Sequence, residues 1–140
     1  MKVMQVEIVS SERSIYSGQA VFVTAPGVEG EIGIYPQHTP LLTRIKPGLL
    51  RLVPPGDKQE VLIAISGGLL EIQPTLVTVL ADTALRDDEL DEQRAIKAKE
   101  TAEQILKKTK NDKAITAAHA SLAAAIAELK ALYYLRHRKP

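Results

Sequence analysis

Leu76-Val77-Thr78-Val79-Leu80-Ala81-Asp82-Thr83-Ala84-Leu85-Arg86-Asp87-Asp88-Glu89-Leu90-Asp91-Glu92 is the stretch in which the chain changes character. Its opening, Leu76 to Leu80, is too short and too β-branched for a helix and reads as a strand. Its close gathers Asp87, Asp88, Glu89, Asp91 and Glu92, and carboxylates crowd a first helical turn because the free amide groups there favour anions. The boundary falls near Arg86-Asp87-Asp88, with residues 1–86 on one side and 87–140 on the other.

On the amino-terminal side the punctuation is dense. All eight Gly lie between Gly18 and Gly68, and every Pro except Pro140 lies between Pro26 and Pro74. Short apolar runs recur between these turn signals: Met4 to Val9, Ser14 to Ser17, Ala20 to Ala25, Glu31 to Ile34, Leu49 to Val53, Glu60 to Ile65, Leu69 to Gln73 and Leu76 to Ala81. Such spacing predicts an antiparallel β-sandwich or barrel. Pro54-Pro55-Gly56-Asp57 and Ser66-Gly67-Gly68 read as hairpin loops, the latter offering positive φ at two successive glycines.

Beyond Leu85 there is no Gly, and Ala, Glu, Lys, Arg and Leu dominate, side chains that lose little freedom in a helix. Lys107, Lys108 and Lys110 mark the end of a first helix. Asn111 or Asp112 caps a second, which is predicted from about Lys113 to Tyr134 or beyond. Ala95, Ala98, Ala102 and Ile105 share one face of the first helix; Ile115, Ala118, Leu122, Ala125, Leu129 and Leu132 share one face of the second. The short connection predicts an antiparallel hairpin. Alanine lets the backbones approach but buries little area, so the hairpin is expected to be marginal and able to open or detach.

Composition narrows the function. A net charge of +1 provides no field for nucleic acid or anionic lipid. The absence of Cys removes disulfides and thiol chemistry and permits a reducing cytoplasm. Met1-Lys2-Val3-Met4-Gln5-Val6-Glu7 turns polar too early for a signal peptide. No segment reads as the ~20 apolar residues of a membrane span, so attachment to a membrane is expected to go through other proteins. His38, His119 and His137 stand apart, which argues against a metal site. There is no phosphate loop and no nucleophile elbow; Ser66 lacks the elbow's preceding Gly and reads as a turn residue. His38, in Tyr35-Pro36-Gln37-His38-Thr39-Pro40, sits on a stiff loop and reads as an exposed loop residue or a rigid projection toward a partner.

Glu29-Gly30-Glu31-Ile32-Gly33-Ile34-Tyr35-Pro36-Gln37-His38-Thr39-Pro40-Leu41-Leu42 resembles the signature loop of the epsilon subunits of bacterial F-type ATP synthases. Ile45-Lys46-Pro47-Gly48, Ser66-Gly67-Gly68-Leu69-Leu70-Glu71 and Val77-Thr78-Val79-Leu80-Ala81-Asp82 follow in that family's order. Leu90-Asp91-Glu92-Gln93-Arg94-Ala95 is similar to its [IL]-D-x-x-R-A element. The resemblance spans about Val6 to Leu135.

It implies a ten-stranded sandwich followed by a helical hairpin in a non-catalytic central-stalk subunit without a cofactor. The implied location is the cytoplasmic face of the bacterial plasma membrane, peripheral and without insertion. The implied partners are the gamma subunit, the loops of the membrane-embedded c-ring, which Glu31 and His38 would face, and the alpha and beta catalytic subunits. Toward the latter the helices would extend to restrain ATP hydrolysis, with Arg136, Arg138 and Lys139 meeting acidic segments. Asp91 and Arg94 fit the start of the family's nucleotide site. Thr101, Ala124 and Glu128 stand where firm ATP binders carry cations, so weak ATP binding is expected; in the helix itself, Arg94 would pair with Glu89 or Asp91. Two further readings remain at this level: an ATP-gated sensing module and a generic sandwich-plus-helix adaptor.

Overall fold

Alternation of buried and less buried side chains, the period-two signature of a strand with one face on a core, runs through β1 (Met4–Ser10), β6 (Gly48–Val53) and β9 (Leu76–Ala81). In this computed structural model, which describes residues 2–56 and 58–137, ten strands precede two helices. The others are β2 (Ser14–Ala20), β3 (Phe22–Gly27), β4 (Gly30–Ile34), β5 (Leu41–Ile45), β7 (Val61–Ile65), β8 (Gly68–Ile72) and β10 (Ala84–Arg86). A 3₁₀ turn at Asp87–Glu89 leads into α1 (Glu92–Lys108) and α2 (Asp112–His137).

The strands pair in the order β10-β7-β6-β3-β5-β8-β9-β1-β2, with β4 also on β3. Every pairing is antiparallel except β1 with β9, which is parallel. At β3 the ladder nearly breaks. Only Gly27 and Ile45 join β3 to β5, and there the sheet folds into two layers. Between them lies a hydrophobic core to which Val23, Leu50, Leu52, Ile63 and Ile65 contribute from one layer and Val6, Ile8, Leu70, Ile72, Val77 and Val79 from the other.

The two outer faces differ. Strand β7 is buried on both sides: Ile63 and Ile65 point into the core, while Ala64 packs with Ala127 and Ala131 of α2 beside Leu49 and Leu90. The hairpin is thus folded down on β6 and β7 through small side chains. On the opposite layer, Leu42 pairs with Glu71, and Leu69 pairs with both Arg44 and Leu80, so these residues share one outward face. Leu42, Leu69 and Leu80 are 67%, 41% and 51% exposed there.

Several expectations need adjusting. The apolar runs omit β5 and β10. The predicted stripe of α2 is only partly the buried one. Ala118 and Ala125 are buried, but the face against the sheet is Ala127 and Ala131, and Leu122, Leu129 and Leu132 are half-buried. A 26-residue α2 with a window of mean hydropathy 1.3 is also long and apolar enough by composition to cross a membrane, contrary to the expectation that no segment is. Alanine supplies this apolarity without bulk, and here α2 packs against α1 and the sandwich.

Candidate functional site

Two groups of polar contacts tie the helices to each other and to the sandwich. Asp91 is the N-cap of α1: its carboxylate Oδ1 accepts from the Arg94 backbone N–H at 3.1 Å, satisfying one of the amides that a helix start leaves unbonded. The Arg94 guanidinium turns away from that carboxylate. Its Nη2 donates to the Glu89 carbonyl oxygen at 2.9 Å and to Glu128 Oε2 at 2.7 Å. The expected pairing within the helix is therefore replaced by one across the hairpin. Glu128 is 5% exposed, and the same Oε2 also accepts from the Asp91 backbone N–H at 2.7 Å. A buried carboxylate is tolerable because two donors meet it.

Nearer the sandwich, Arg13 Nη2 donates to both carboxylate oxygens of Glu89 at 2.9 and 2.8 Å and to the Ala84 carbonyl at 3.3 Å. Glu89 Oε1 also accepts from the Arg86 N–H at 3.0 Å. That backbone donor, with Arg13 beside it, holds the Glu89 carboxyl below its usual range. At the far end of α2, Arg51 Nη1 donates to Tyr134 Oη at 2.9 Å, and Tyr134 Oη donates to Glu60 Oε1 at 3.1 Å.

The other residues singled out in the sequence scatter. Glu31 is in strand β4 rather than a loop, and Arg51 Nη2 lies 3.8 Å from its carboxylate. His38 lies past the opposite end of β4. It is half-buried, with Nδ1 2.6 Å from the Thr39 carbonyl. Its loop is pinned by Gln37, which takes a φ of 70° and donates its N–H to the Pro74 carbonyl at 2.8 Å. Arg136 pairs with Glu92 at the start of α1, so its charge is already met in this arrangement. Arg138 and Lys139 lie outside the described residues. Ser66 is a turn residue: its Oγ accepts from both the N–H and the hydroxyl of Thr83, at 2.9 and 2.8 Å. Among the described residues no group of His, Asp or Glu is placed to hold a metal ion.

A β-sandwich carrying a docked helical hairpin, with polar contacts that join helix to helix and helices to strands and no group placed to hold a metal among the described residues, defines a structural module. The β-sandwich domain model of the ATP synthase delta/epsilon chain matches residues 3–87, and the long α-helix domain model of that chain matches residues 88–132. An ATP synthase epsilon chain of Chromobacterium violaceum is 62% identical over 138 residues, covering 99% of both chains. One from Neisseria meningitidis is 56% identical over 139 residues, again with 99% of each covered. Among solved structures, a chain of the Euglena gracilis mitochondrial ATP synthase OSCP/F1/c-ring assembly aligns with a TM-score of 0.75 at 20% identity, covering 93% of this chain and 81% of that one. This chain belongs to the family of ATP synthase epsilon chains, non-catalytic subunits of the F-type enzyme.

Proposed function

We propose that residues 1–86 couple the rotor and residues 87–140 regulate it. The sandwich joins the gamma subunit and faces the c-ring, and the hairpin moves from its docked position toward the alpha and beta subunits to restrain ATP hydrolysis. The observation that carries this reading is the asymmetry of the sandwich's outer faces. One is covered by the chain's own hairpin through alanines, a contact of small area that modest energies can undo. The other leaves Leu42, Leu69 and Leu80 exposed around Arg44, an apolar face suited to a permanent protein partner. The gamma subunit is assigned to that face. Glu31 and His38, on β4 and the loop after it, are assigned to the ring. Arg136, once freed from Glu92, joins Arg138 and Lys139 as a cationic end for the catalytic subunits. The location that follows is peripheral, on the cytoplasmic face of the bacterial membrane, held by other subunits without insertion of α2.

The test is reconstitution with a chain ending at Arg86 and, separately, with Leu80→Asp. The truncated chain should bind gamma and sustain ATP synthesis while ATP hydrolysis rises several-fold. Leu80→Asp should weaken gamma binding by ~10-fold or more, since a carboxylate desolvated in an apolar contact costs at least ~1.4 kcal/mol. Unchanged hydrolysis with the truncated chain removes the regulatory half of the proposal. Full-strength gamma binding by Leu80→Asp removes the assignment of the face.

A further inference from the structure

The apolar contact between α2 and the sheet is made by Ala127 and Ala131 on Ala64, and beside it one polar cluster is built in detail. Arg51, on β6, is oriented from within the sandwich: its Nε donates to Oγ1 of Thr24 at 3.0 Å, and Thr24 is 3% exposed. So held, the guanidinium presents Nη1 to Tyr134 Oη at 2.9 Å and lies 5.2 Å from the centroid of that ring. The tyrosine hydroxyl closes the circuit on Glu60 Oε1 at 3.1 Å, and Glu60 Oε2 lies 3.5 Å from Arg51 Nη1. Tyr133, the adjacent residue, is 66% exposed, so the fit belongs to one tyrosine and not to an aromatic end in general.

We infer that Arg51, Glu60 and Tyr134 form a reversible latch that holds the carboxyl-terminal part of α2 down on the sandwich. Two features make it a latch rather than a structural brace. The receiving side is preorganised: Thr24 fixes Arg51 whether or not α2 is present, so docking orders only the tyrosine. Undocking also strands no buried charge, because Arg51 and Glu60 remain beside each other and Glu31 stands 3.8 Å from Arg51. What is exchanged for water is the bonds of one neutral hydroxyl and the contact of its ring with the Arg51 guanidinium. A buried ion pair split between the sandwich and α2 would be far costlier to break and would hold the hairpin in one place. Arg51 and Tyr134 are thus positioning residues for the mobile element. The inference rests on the reading of the hairpin as movable.

Amide hydrogen exchange on the full-length chain tests it. Tyr134→Phe keeps the ring over Arg51 and removes only the hydroxyl. It should raise exchange in the last turns of α2 about tenfold while β1 to β9 exchange as before. Arg51→Gln should act in the same direction. The double variant should exceed Arg51→Gln by much less than tenfold, because both remove one shared contact. An unchanged α2 in Tyr134→Phe, full additivity, or an equal rise across the strands overturns the latch. Hydrolysis by enzyme assembled with Tyr134→Phe separates the two readings: faster exchange with unaltered hydrolysis keeps the latch and sinks the regulatory role of the hairpin.

Discussion

Arg94 carries the clearest consequence at the scale of single residues. Its guanidinium is committed to Glu128, a carboxylate that also takes the Asp91 N–H. A triphosphate approaching Asp91 and Arg94 meets an anion already in place and gains no free cation there. Losing charge-assisted bonds of ~1.5–3 kcal/mol each leaves little affinity. Calorimetry of the isolated chain with MgATP should show no saturable binding below about 1 mM, and micromolar affinity would require the pair to open readily. The pair is also asymmetric. Arg94→Ala leaves a buried carboxylate without its cation and should cost about 2–3 kcal/mol in urea unfolding, the low end for a broken buried pair because Arg94 is itself half exposed. Glu128→Gln retains an acceptor for the Asp91 N–H and should cost nearer ~1 kcal/mol. Equal costs would mean that the charge at Glu128 is immaterial. Asp91 could be read as a cap because capping is a local rule. Glu128 as its partner could not, since the contact joins two helices and no spacing within either one announces it. Nor does the sequence show that Arg51 reaches Tyr134.

At the scale of elements, the turn between β7 and β8 depends on glycine. Gly67 and Gly68 have φ of 116° and 151°, and a Cβ on Gly68 would stand 2.1 Å from the Leu80 carbonyl oxygen on β9. Gly68→Ala must therefore push β8 from β9 as well as strain its own backbone, and should destabilise the sandwich by ~3 kcal/mol or more. A thermal midpoint within ~2 °C of the parent would show that the turn can rearrange. Positive φ at this turn was legible from the two adjacent glycines, but the hairpin read there is absent, because β7 pairs with β6 and β10 while β8 crosses to β5 and β9; eight strands were legible from apolar runs between turn residues. Strand β5 was not: Leu41, Leu42 and Arg44 are all exposed, so no alternation marks it, and its edges are set by pairing with β8. Strand β10 has three residues and exists by pairing with β7. The second helix began as read, with Asn111 Oδ1 accepting from the Ala114 N–H at 3.1 Å. Its sheet-facing side was invisible because Ala127 and Ala131 give a weak hydropathic signal, whereas the leucines drew attention to the neighbouring stripe.

For the whole molecule, the joint between sandwich and helices has a pH dependence with a definite sign. Arg13 on β2's approach grips Glu89 in the connection, and the folded pKa of Glu89 is lowered. A carboxylate with a lowered folded pKa stabilises the fold above its unfolded pKa, about 4.3, and loses that contribution as pH falls from there through the folded value. Glu89→Gln should therefore lower the thermal midpoint by a pH-independent amount from pH 6 to 8 and flatten its fall between roughly pH 5 and the acid limit, so that the two curves converge at low pH. Parallel curves for parent and variant would locate the acid sensitivity elsewhere. The parallel seam of β1 and β9 bears on how the molecule is made. Gln5 pairs with Leu76 and Ser10 with Ala81, so β1, once made, waits for a partner about 70 residues behind it, some 4–14 s at ~5–20 residues per second. During that interval β1 has β2 on one edge and no partner on the other, and the apolar outer side of β7 stays bare beyond it, until α2 follows. The nascent chain therefore carries two unfinished seams at once, and α2, made after all ten strands, is the element that seals the second of them.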